Sequence, residues 1–207
     1  MASPSNDRLV WIDCEMTGLN PEVDVLVEVA VVITDYDLKV LHPGLDLVIK
    51  PPAAALEQMG DFVRTMHTTS GLIEELDAGI TLEEAQEQLL AYVREYVPEA
   101  GIAPLAGNTV GTDRMFIQKE LPLLHEHLHY RNIDVSTVKE LSKHWYPKSY
   151  FHSPDKNGGH RALADILESI RELAYYRHAV FVHAPGPETS AVKKIKDAIT
   201  EEWAEHL

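Results

Sequence analysis

The sequence has one cysteine, few basic residues and no apolar stretch long enough to cross a bilayer. The lone Cys14 excludes an internal disulfide framework and a zinc site built from thiolates. Only 18 Lys and Arg stand against 33 Asp and Glu among 207 residues, so the formal net charge is −15. Because a long nucleic-acid duplex is held by many Lys and Arg contacts with phosphates, this balance argues against such a partner. The first residues also lack an apolar signal-peptide core, so we expect a cytoplasmic protein without membrane contacts.

The hydrophobic fraction of 45% is typical of a globular protein, and its pattern is strand-like in the first fifty residues. Three apolar runs, at 9–16, 25–34 and 45–49, are separated by short polar turns, which predicts an antiparallel meander of three strands. The middle run is rich in β-branched residues, so we place it in the interior of the sheet.

Helical patterns follow and alternate with short strands. The first helix begins at a capping box, and the second contains Pro122, which predicts a kink or break there. This order predicts an α/β fold, in which the meander and further strands form a mixed sheet flanked by helices. The predicted helices cover 82–96, 115–129 and 160–177, and a further helix is predicted to start at 136–141. The predicted strands cover 103–107 and 133–135, and a polar loop is predicted over 148–159.

Two carboxylates interrupt the first apolar run. Asp13 and Glu15 are two residues apart, so on a strand both project from one face while Cys14 projects from the other. Two like charges side by side are costly to bury unless a cation compensates them, which favours a metal site. A solvated strand end explains the pair equally well.

Further acids follow later in the chain. Asp113 comes after a predicted strand and turn, where it is either a metal ligand or only the cap of a helix. Asp165 lies five residues after His160, and five residues of regular helix place side chains about 140° apart. Both can therefore reach one site only if His160 lies off the helix, which Gly158 and Gly159 permit. Taken alone, His160 is equally compatible with a surface loop.

Four carboxylates and one histidine at ordered positions suggest a specific chemistry. Oxygen ligands suit Mg²⁺ or Mn²⁺ rather than zinc. Two such ions about 4 Å apart can activate a water and stabilise the leaving oxygen of a phosphodiester. Histidine gains and loses a proton most readily near neutral pH, so His160 is suited to deprotonate that water.

The motifs, taken together, resemble the DEDDh exonuclease superfamily, which has a ribonuclease-H-like fold, and within it the oligoribonucleases. The resemblance covers about residues 8 to 180, so we divide the chain into an exonuclease domain at 8–182 and a linker and tail of unknown role at 183–207. The matching segments are WIDCEMTGL from Trp11, GNTVGTDR from Gly107, YR at Tyr130, DVSTVKEL from Asp134 and HRALAD from His160.

The resemblance implies a homodimeric 3′-to-5′ exoribonuclease that cleaves very short RNA, chiefly dinucleotides, to 5′-mononucleotides. It also implies two Mg²⁺ or Mn²⁺ ions per site and His160 as the general base. The implied metal ligands are Asp13, Glu15, Asp113 and Asp165, and the implied substrate-binding residues are Leu19, Phe62, His67, Thr109, Tyr130, Arg131 and Ser136.

The resemblance also assigns roles to these substrate-binding residues. Leu19 and Phe62 would hold the bases, with Phe62 standing where the family often has Trp, and Tyr130 would reach over from the partner subunit. The terminal 5′ phosphate would be capped by Arg131, Ser136 and Thr109. A cap blocks a longer substrate, and a dinucleotide has few phosphates to neutralise, so an acidic chain is compatible with this function. Two of these cap residues, Arg131 and Ser136, lie in the segment 130–150. The net charge of this segment is +2, because it has four basic residues and two acidic ones.

Three other functions stay open at this point. A DEDDh exonuclease acting on longer RNA or DNA ends would need a basic approach groove, which the net charge disfavours. A nucleotide- or RNA-binding module without catalysis would be favoured by a missing acid, and none is missing. A metal-dependent phosphomonoesterase would use similar ligands.

Overall fold

A five-stranded mixed sheet lies at the centre of this computed structural model, which describes residues 7–156 and 159–206. The strand order is β3-β2-β1-β4-β5. The first three strands pair antiparallel, and β4 is parallel to both β1 and β5. The predicted mixed sheet and meander are therefore confirmed. The strands are β1 Arg8–Met16, β2 Leu26–Asp35, β3 Leu45–Val48, β4 Pro104–Gly107 and β5 His129–Asp134.

Helices cover both faces of the sheet. The predicted capping box is present, because Glu84 N–H donates to Thr81 Oγ1 at 3.1 Å and Thr81 N–H donates to a Glu84 carboxylate oxygen at 2.9 Å. The helices are α1 Ala53–Gln58, α2 Asp61–Thr69, α3 Leu72–Glu75, α4 Leu82–Tyr96, α5 Gly111–Glu120, α6 Pro122–His127, α7 Val135–Trp145, α8 Pro147–Phe151, α9 Ala162–Ala179 and α10 Thr189–Glu202.

Alternation along β1 divides the apolar core into two parts. Ile12 and Cys14 belong to the cluster that includes residues of α4 and α5, whereas Trp11 belongs to the cluster that includes Ile166 of α9. Cys14 therefore projects away from its two acidic neighbours, as predicted from the period of a strand.

The region 111–134 differs from the sequence prediction. A break does occur at Pro122, since α5 ends at Glu120 and α6 begins at Pro122. However, His129 belongs to β5 rather than to a helix, because parallel pairing with β4 begins at His129 and extends that strand upstream. The helical spacing of apolar residues there could not reveal this tertiary pairing.

Two further differences concern helices. The predicted loop over 148–159 begins with the short helix α8, and α1 to α3 lie in 53–75, for which no helix was predicted. The last predicted helix begins at Ala162, so His160 lies before it.

The segment beyond Val182 contains α10, which has no buried residue. The domain division at 182 stays a prediction. Within the ranges that the structure describes, no helix is both long and apolar enough to cross a membrane.

Candidate active site

Asp13 and Glu15 lie on the face of β1 that packs against α9. Glu15 is buried and stands directly opposite Glu28 in the antiparallel β1/β2 pair. Three carboxylates of two adjacent strands are thus concentrated in a small part of the sheet, which makes compensation by positive charge necessary.

Asp113 reaches the same place from the first turn of α5. Parallel pairing of β4 with β1 brings the β4–α5 connection alongside β1. The backbone N–H of Cys14 then donates to Oδ1 of Asp113 at 3.0 Å. Asp113 is 6% exposed, so it is more than a solvated helix cap.

His160 and Asp165 complete the group. One ligand atom each of Glu15, His160 and Asp165 lie within 4.8 Å of one another. His160 has φ +48°, in the left-handed region, so the turn that moves it off α9 occurs in the histidine itself. Gly158, on which the sequence argument drew, lies outside the described residues. The predicted displacement of His160 from regular helix geometry is present.

Burial and mutual repulsion oppose ionisation of the acids. Burial, followed by the charges of Asp113 and Asp165, raises the pKa of Asp13 well above its usual range. Burial and the charges of Asp165 and Glu28 raise the pKa of Glu15 to about 8.

The pKa values of the other two acids are raised as well. Burial raises the pKa of Asp113 to about 7 and also raises the pKa of Asp165. Four carboxylates whose charged forms are disfavoured, with a histidine at the edge, are a donor set that fits a divalent cation.

An ion-pair cluster that the sequence reasoning missed lies beside the acids. Arg161 donates from Nε to Glu28 at 2.7 Å, and its other nitrogens donate to the two Glu75 oxygens at 2.8 and 3.0 Å. The N–H of Ala162 donates to the second Glu28 oxygen at 3.0 Å. Glu28 thereby ties the start of α9 to β2, immediately after His160. The one available signal was an isolated acid inside the β-branched run 25–34.

His67 is fully buried on α2. Its Nε2 lies 2.8 Å from the carbonyl oxygen of Met16, and its Nδ1 lies 3.9 Å from a Glu15 oxygen. In this arrangement the ring contacts the end of β1 that carries Glu15, rather than an open surface.

Thr109 and Ser136 form a hydrogen-bonded pair at the C-terminal ends of β4 and β5. The N–H of Thr109 donates to Ser136 Oγ at 2.7 Å, and the two hydroxyl oxygens lie 3.0 Å apart. Asp134 accepts from both backbone N–H groups, at 3.1 Å from Thr109 and 2.9 Å from Ser136. Two residues 27 positions apart are thus held as one unit.

Three of the predicted substrate-binding side chains are strongly exposed: Leu19 at 74%, Phe62 at 82% and Tyr130 at 72%. Phe62 and His160 line one open cavity of about 600 Å³. The Arg131 guanidinium lies 5.4 Å from the centre of the Tyr130 ring. The hydrogen bonds and ion pairs between described residues do not join Tyr130 or Arg131 to the acids.

Known proteins are similar in sequence to this chain over nearly its whole length. The RNase_T exonuclease family model matches residues 10–173. The oligoribonuclease of Leifsonia xyli subsp. xyli is 62% identical over 203 residues, covering 98% of each chain. The oligoribonuclease of Streptomyces avermitilis is 60% identical over 190 residues, covering 92% of this chain and 95% of that one.

The chain belongs to the oligoribonuclease family. Family members have the exonuclease domain, and such exonucleases depend on metal ions, in keeping with the acidic group that includes Glu15, His160 and Asp165. The resemblance drawn from the sequence motifs is therefore confirmed.

Solved structures agree on the fold of this oligoribonuclease-family chain. The zinc-bound E. coli exonuclease I in complex with single-stranded DNA has a TM-score of 0.65 at 13% identity. It matches 84% of this chain, which spans 41% of the exonuclease I chain. The metal-free form of that complex has a TM-score of 0.63 at 12% identity. At these identities the match shows a shared ribonuclease-H-like fold.

Proposed function

We propose that this chain is a 3′-to-5′ exoribonuclease that hydrolyses very short RNA, chiefly dinucleotides, to 5′-mononucleotides. The observation that carries this proposal is the convergence of Glu15, His160 and Asp165 within 4.8 Å, in a chain that is 62% identical to an oligoribonuclease. Asp13 and Asp113 lie near enough to interact with this group: after burial, the charges of Asp113, Asp165 and Glu15 raise the pKa of Asp13, and the charge of Asp113 contributes to the raised pKa of Glu15.

We propose that Asp13, Glu15, Asp113 and Asp165 hold two divalent cations, Mg²⁺ or Mn²⁺. Their oxygen donors suit hard cations, and positive charge would relieve the repulsion that disfavours their ionised forms. When bound, such a pair of cations activates a water and stabilises the leaving oxygen of a phosphodiester.

His160 is the proposed general base. A ring nitrogen accepts a proton from the attacking water as its oxygen forms a bond to phosphorus. The bond between phosphorus and the O3′ of the preceding nucleotide then breaks, the O3′ takes up a proton from solvent, and the terminal nucleotide leaves as a 5′-monophosphate. The exposed position of His160, on the wall of the Phe62 cavity, gives it access to substrate and solvent.

Substrate length is proposed to be limited at both ends of the site. Leu19 and Phe62 present apolar surface on which bases can stack. Thr109, Ser136 and Arg131 would receive the terminal 5′ phosphate, so a longer chain would have no room to continue. The net charge of −15 fits a substrate with few phosphates.

The test is turnover of a 5′-phosphorylated diribonucleotide with Mn²⁺, compared with a twenty-residue RNA. We expect faster release of mononucleotide from the dinucleotide. His160→Ala and Asp165→Ala should abolish release, whereas the matched surface variant His144→Ala should retain it, because His144 is exposed on α7. No release, or release that both site variants retain, would refute the proposal. Faster cleavage of the long RNA would favour a general DEDDh exonuclease.

We also propose that the protein is a homodimer and that it is located in the cytoplasm. Tyr130 is exposed on β5, and the described contacts do not join it to the acids of its own chain. This is what we expect of a side chain that reaches into the site of a second copy. Light scattering together with an activity series over protein concentration tests this. Full activity of a monomer would remove the dimer from the proposal and leave the hydrolysis standing.

A further inference from the structure

Glu172 is a nearly fully buried carboxylate outside the group formed by Asp13, Glu15, Asp113 and Asp165. It lies on α9, seven residues after Asp165, which places it two turns or about 10 Å further along the same helix face. Lys139 of α7 contacts one of its oxygens at 3.1 Å, and Lys156 contacts the other at 3.1 Å. A buried charge is costly even when paired, so stability alone is a poor reason for its presence.

On one side, Glu172 fixes the orientation of Asn108. The Nδ2 group of Asn108 donates to Glu172 at 3.2 Å and to Ser169 Oγ at 2.8 Å. Because an ionised carboxylate only accepts hydrogen bonds, the amide nitrogen must face it. The amide oxygen is then directed to Ser136, whose Oγ donates to it at 3.1 Å.

This orientation has a consequence for the Ser136/Thr109 pair. The single hydroxyl hydrogen of Ser136 is used on Asn108, so Ser136 Oγ acts as acceptor toward Thr109. The Thr109 hydroxyl therefore donates to Ser136 Oγ in this structure, and of the two hydroxyls it is the one whose hydrogen can be redirected to a ligand, because Ser136 Oγ still accepts from the Thr109 N–H. Loss of the Glu172 charge would weaken one of the two acceptors that fix the amide of Asn108, the other being Ser169 Oγ, and would let the opposite donor and acceptor roles become populated.

On the other side, Glu172 holds the segment that precedes His160. Lys156 stands four residues before His160, and Arg171 donates to the carbonyl oxygen of neighbouring Asp155. Two adjacent residues of α9 thus fasten this segment to the helix that carries Asp165.

We propose that Glu172 is a positioning residue that serves both parts of the site. Through Asn108 it sets which hydroxyl of the Thr109/Ser136 pair can donate to the substrate's terminal 5′ phosphate. Through Lys156 it fastens the chain four residues before His160 to α9. This inference rests on the proposed function.

The experiment compares two diribonucleotides, one with and one without a 5′ phosphate, as the ratio of their kcat/KM values with Mn²⁺. We expect Glu172→Gln to lower the wild-type ratio roughly tenfold, the effect of one hydrogen bond to a charged group. A general loss of folding would lower both rates and leave the ratio unchanged. The matched control is Glu140→Gln, which makes the same chemical change on an exposed residue of α7.

Two further variants separate the two roles. Asn108→Ala should lower the ratio, and combined with Glu172→Gln it should lower it no further, because both act on one unit. Lys156→Gln changes a side chain that is 36% exposed, and it should lower kcat for both substrates with the ratio retained.

The outcomes are distinct. A folded Glu172→Gln protein with the wild-type ratio overturns the inference while the proposed function stands. If that variant does not fold, an unchanged ratio in Asn108→Ala or an unchanged kcat in Lys156→Gln overturns it instead. A wild type that turns over dinucleotides without preference for the 5′ phosphate also overturns the inference, and a wild type with no turnover overturns both proposals.

Discussion

The backbone N–H of Cys14 donates a hydrogen bond to Oδ1 of Asp113 at 3.0 Å, across 99 positions of sequence. The bond joins β1 to the first turn of α5 and holds the Asp113 carboxylate beside Asp13 and Glu15. It uses one carboxylate oxygen and leaves the other available to a cation.

Asp113→Asn separates the structural role of this residue from its charge. The amide oxygen can still accept from Cys14, but the negative charge is lost. We expect the melting temperature to be retained and kcat with Mn²⁺ to fall about a hundredfold or more. Dinucleotide turnover and thermal unfolding, with Asp77→Asn on the surface as control, check this. Unchanged turnover would remove Asp113 from the metal ligands.

The raised pKa of Glu15 predicts how stability depends on pH. Its folded pKa is about 8 against an ordinary 4.5, so between these values the folded chain keeps a proton that the unfolded chain has lost. The contribution of Glu15 to the free energy of unfolding therefore falls as pH rises through this interval.

Glu15→Gln isolates this effect, because glutamine is neutral at every pH. In EDTA we expect the melting temperature of the variant to gain on that of the wild type between about pH 5.5 and about pH 8. Added Mn²⁺ should raise the melting temperature of the wild type most at the higher pH, since a bound cation stabilises the folded state. A difference between the two proteins that does not change with pH would contradict this prediction.

Arg161→Met should unfold more easily than the wild type. Glu28 is fully buried and would lose its cation, which costs about 3 kcal/mol in the free energy of unfolding. Urea denaturation measures this. Glu75→Gln removes only the half-exposed partner, so it should cost less than about 1 kcal/mol. The double variant Arg161→Met/Glu28→Gln removes the charge but keeps an acceptor for the N–H of Ala162, so it should recover much of the loss. Failure to recover would show that the pair acts on something other than buried charge.

Phe62→Ala should weaken substrate binding without changing stability. The ring is 82% exposed, so its removal leaves no cavity in the core. Loss of one stacked base costs about 1–3 kcal/mol, which is roughly a fivefold to hundredfold rise in KM. Phe62→Trp should lower KM, since a larger ring offers more stacking area.

The control is Phe181→Ala. Phe181 is an exposed phenylalanine just beyond α9, about 27 Å from the start of that helix, which carries Asp165. Equal KM values for Phe62→Ala and the wild type would remove Phe62 from the substrate site.

Local patterns could predict much of this fold. The β-branched run at 25–34 and the alternation around Asp13 specify strands and their faces, because each depends on residues close in sequence. The end of α6 could not be predicted in this way, since pairing of His129 with Pro104 is a tertiary contact. The helices at 53–75 are at most nine residues long, which leaves little sequence in which a period of 3.6 residues can be recognised.

In the site, too, local patterns predicted some features and tertiary contacts decided others. Spacing indicated that His160 must leave the helix to join Asp165, and the structure places it in the left-handed region. By contrast, the only local signal of Glu28 was that of an isolated acid in an apolar run, and Glu172 had none, because their roles depend on partners 133 and 64 positions away. Long-range charge pairing is specified only by the complete fold.

The positions of the acids along the chain also bear on biosynthesis. Asp13 and Glu15 are translated about 150 residues before Asp165. Until α9 is translated and packs on β1, the two early carboxylates face no partner helix. A nascent chain without α9 therefore has no assembled group of Glu15, His160 and Asp165, so hydrolysis of short RNA can begin only after this helix has packed on the sheet.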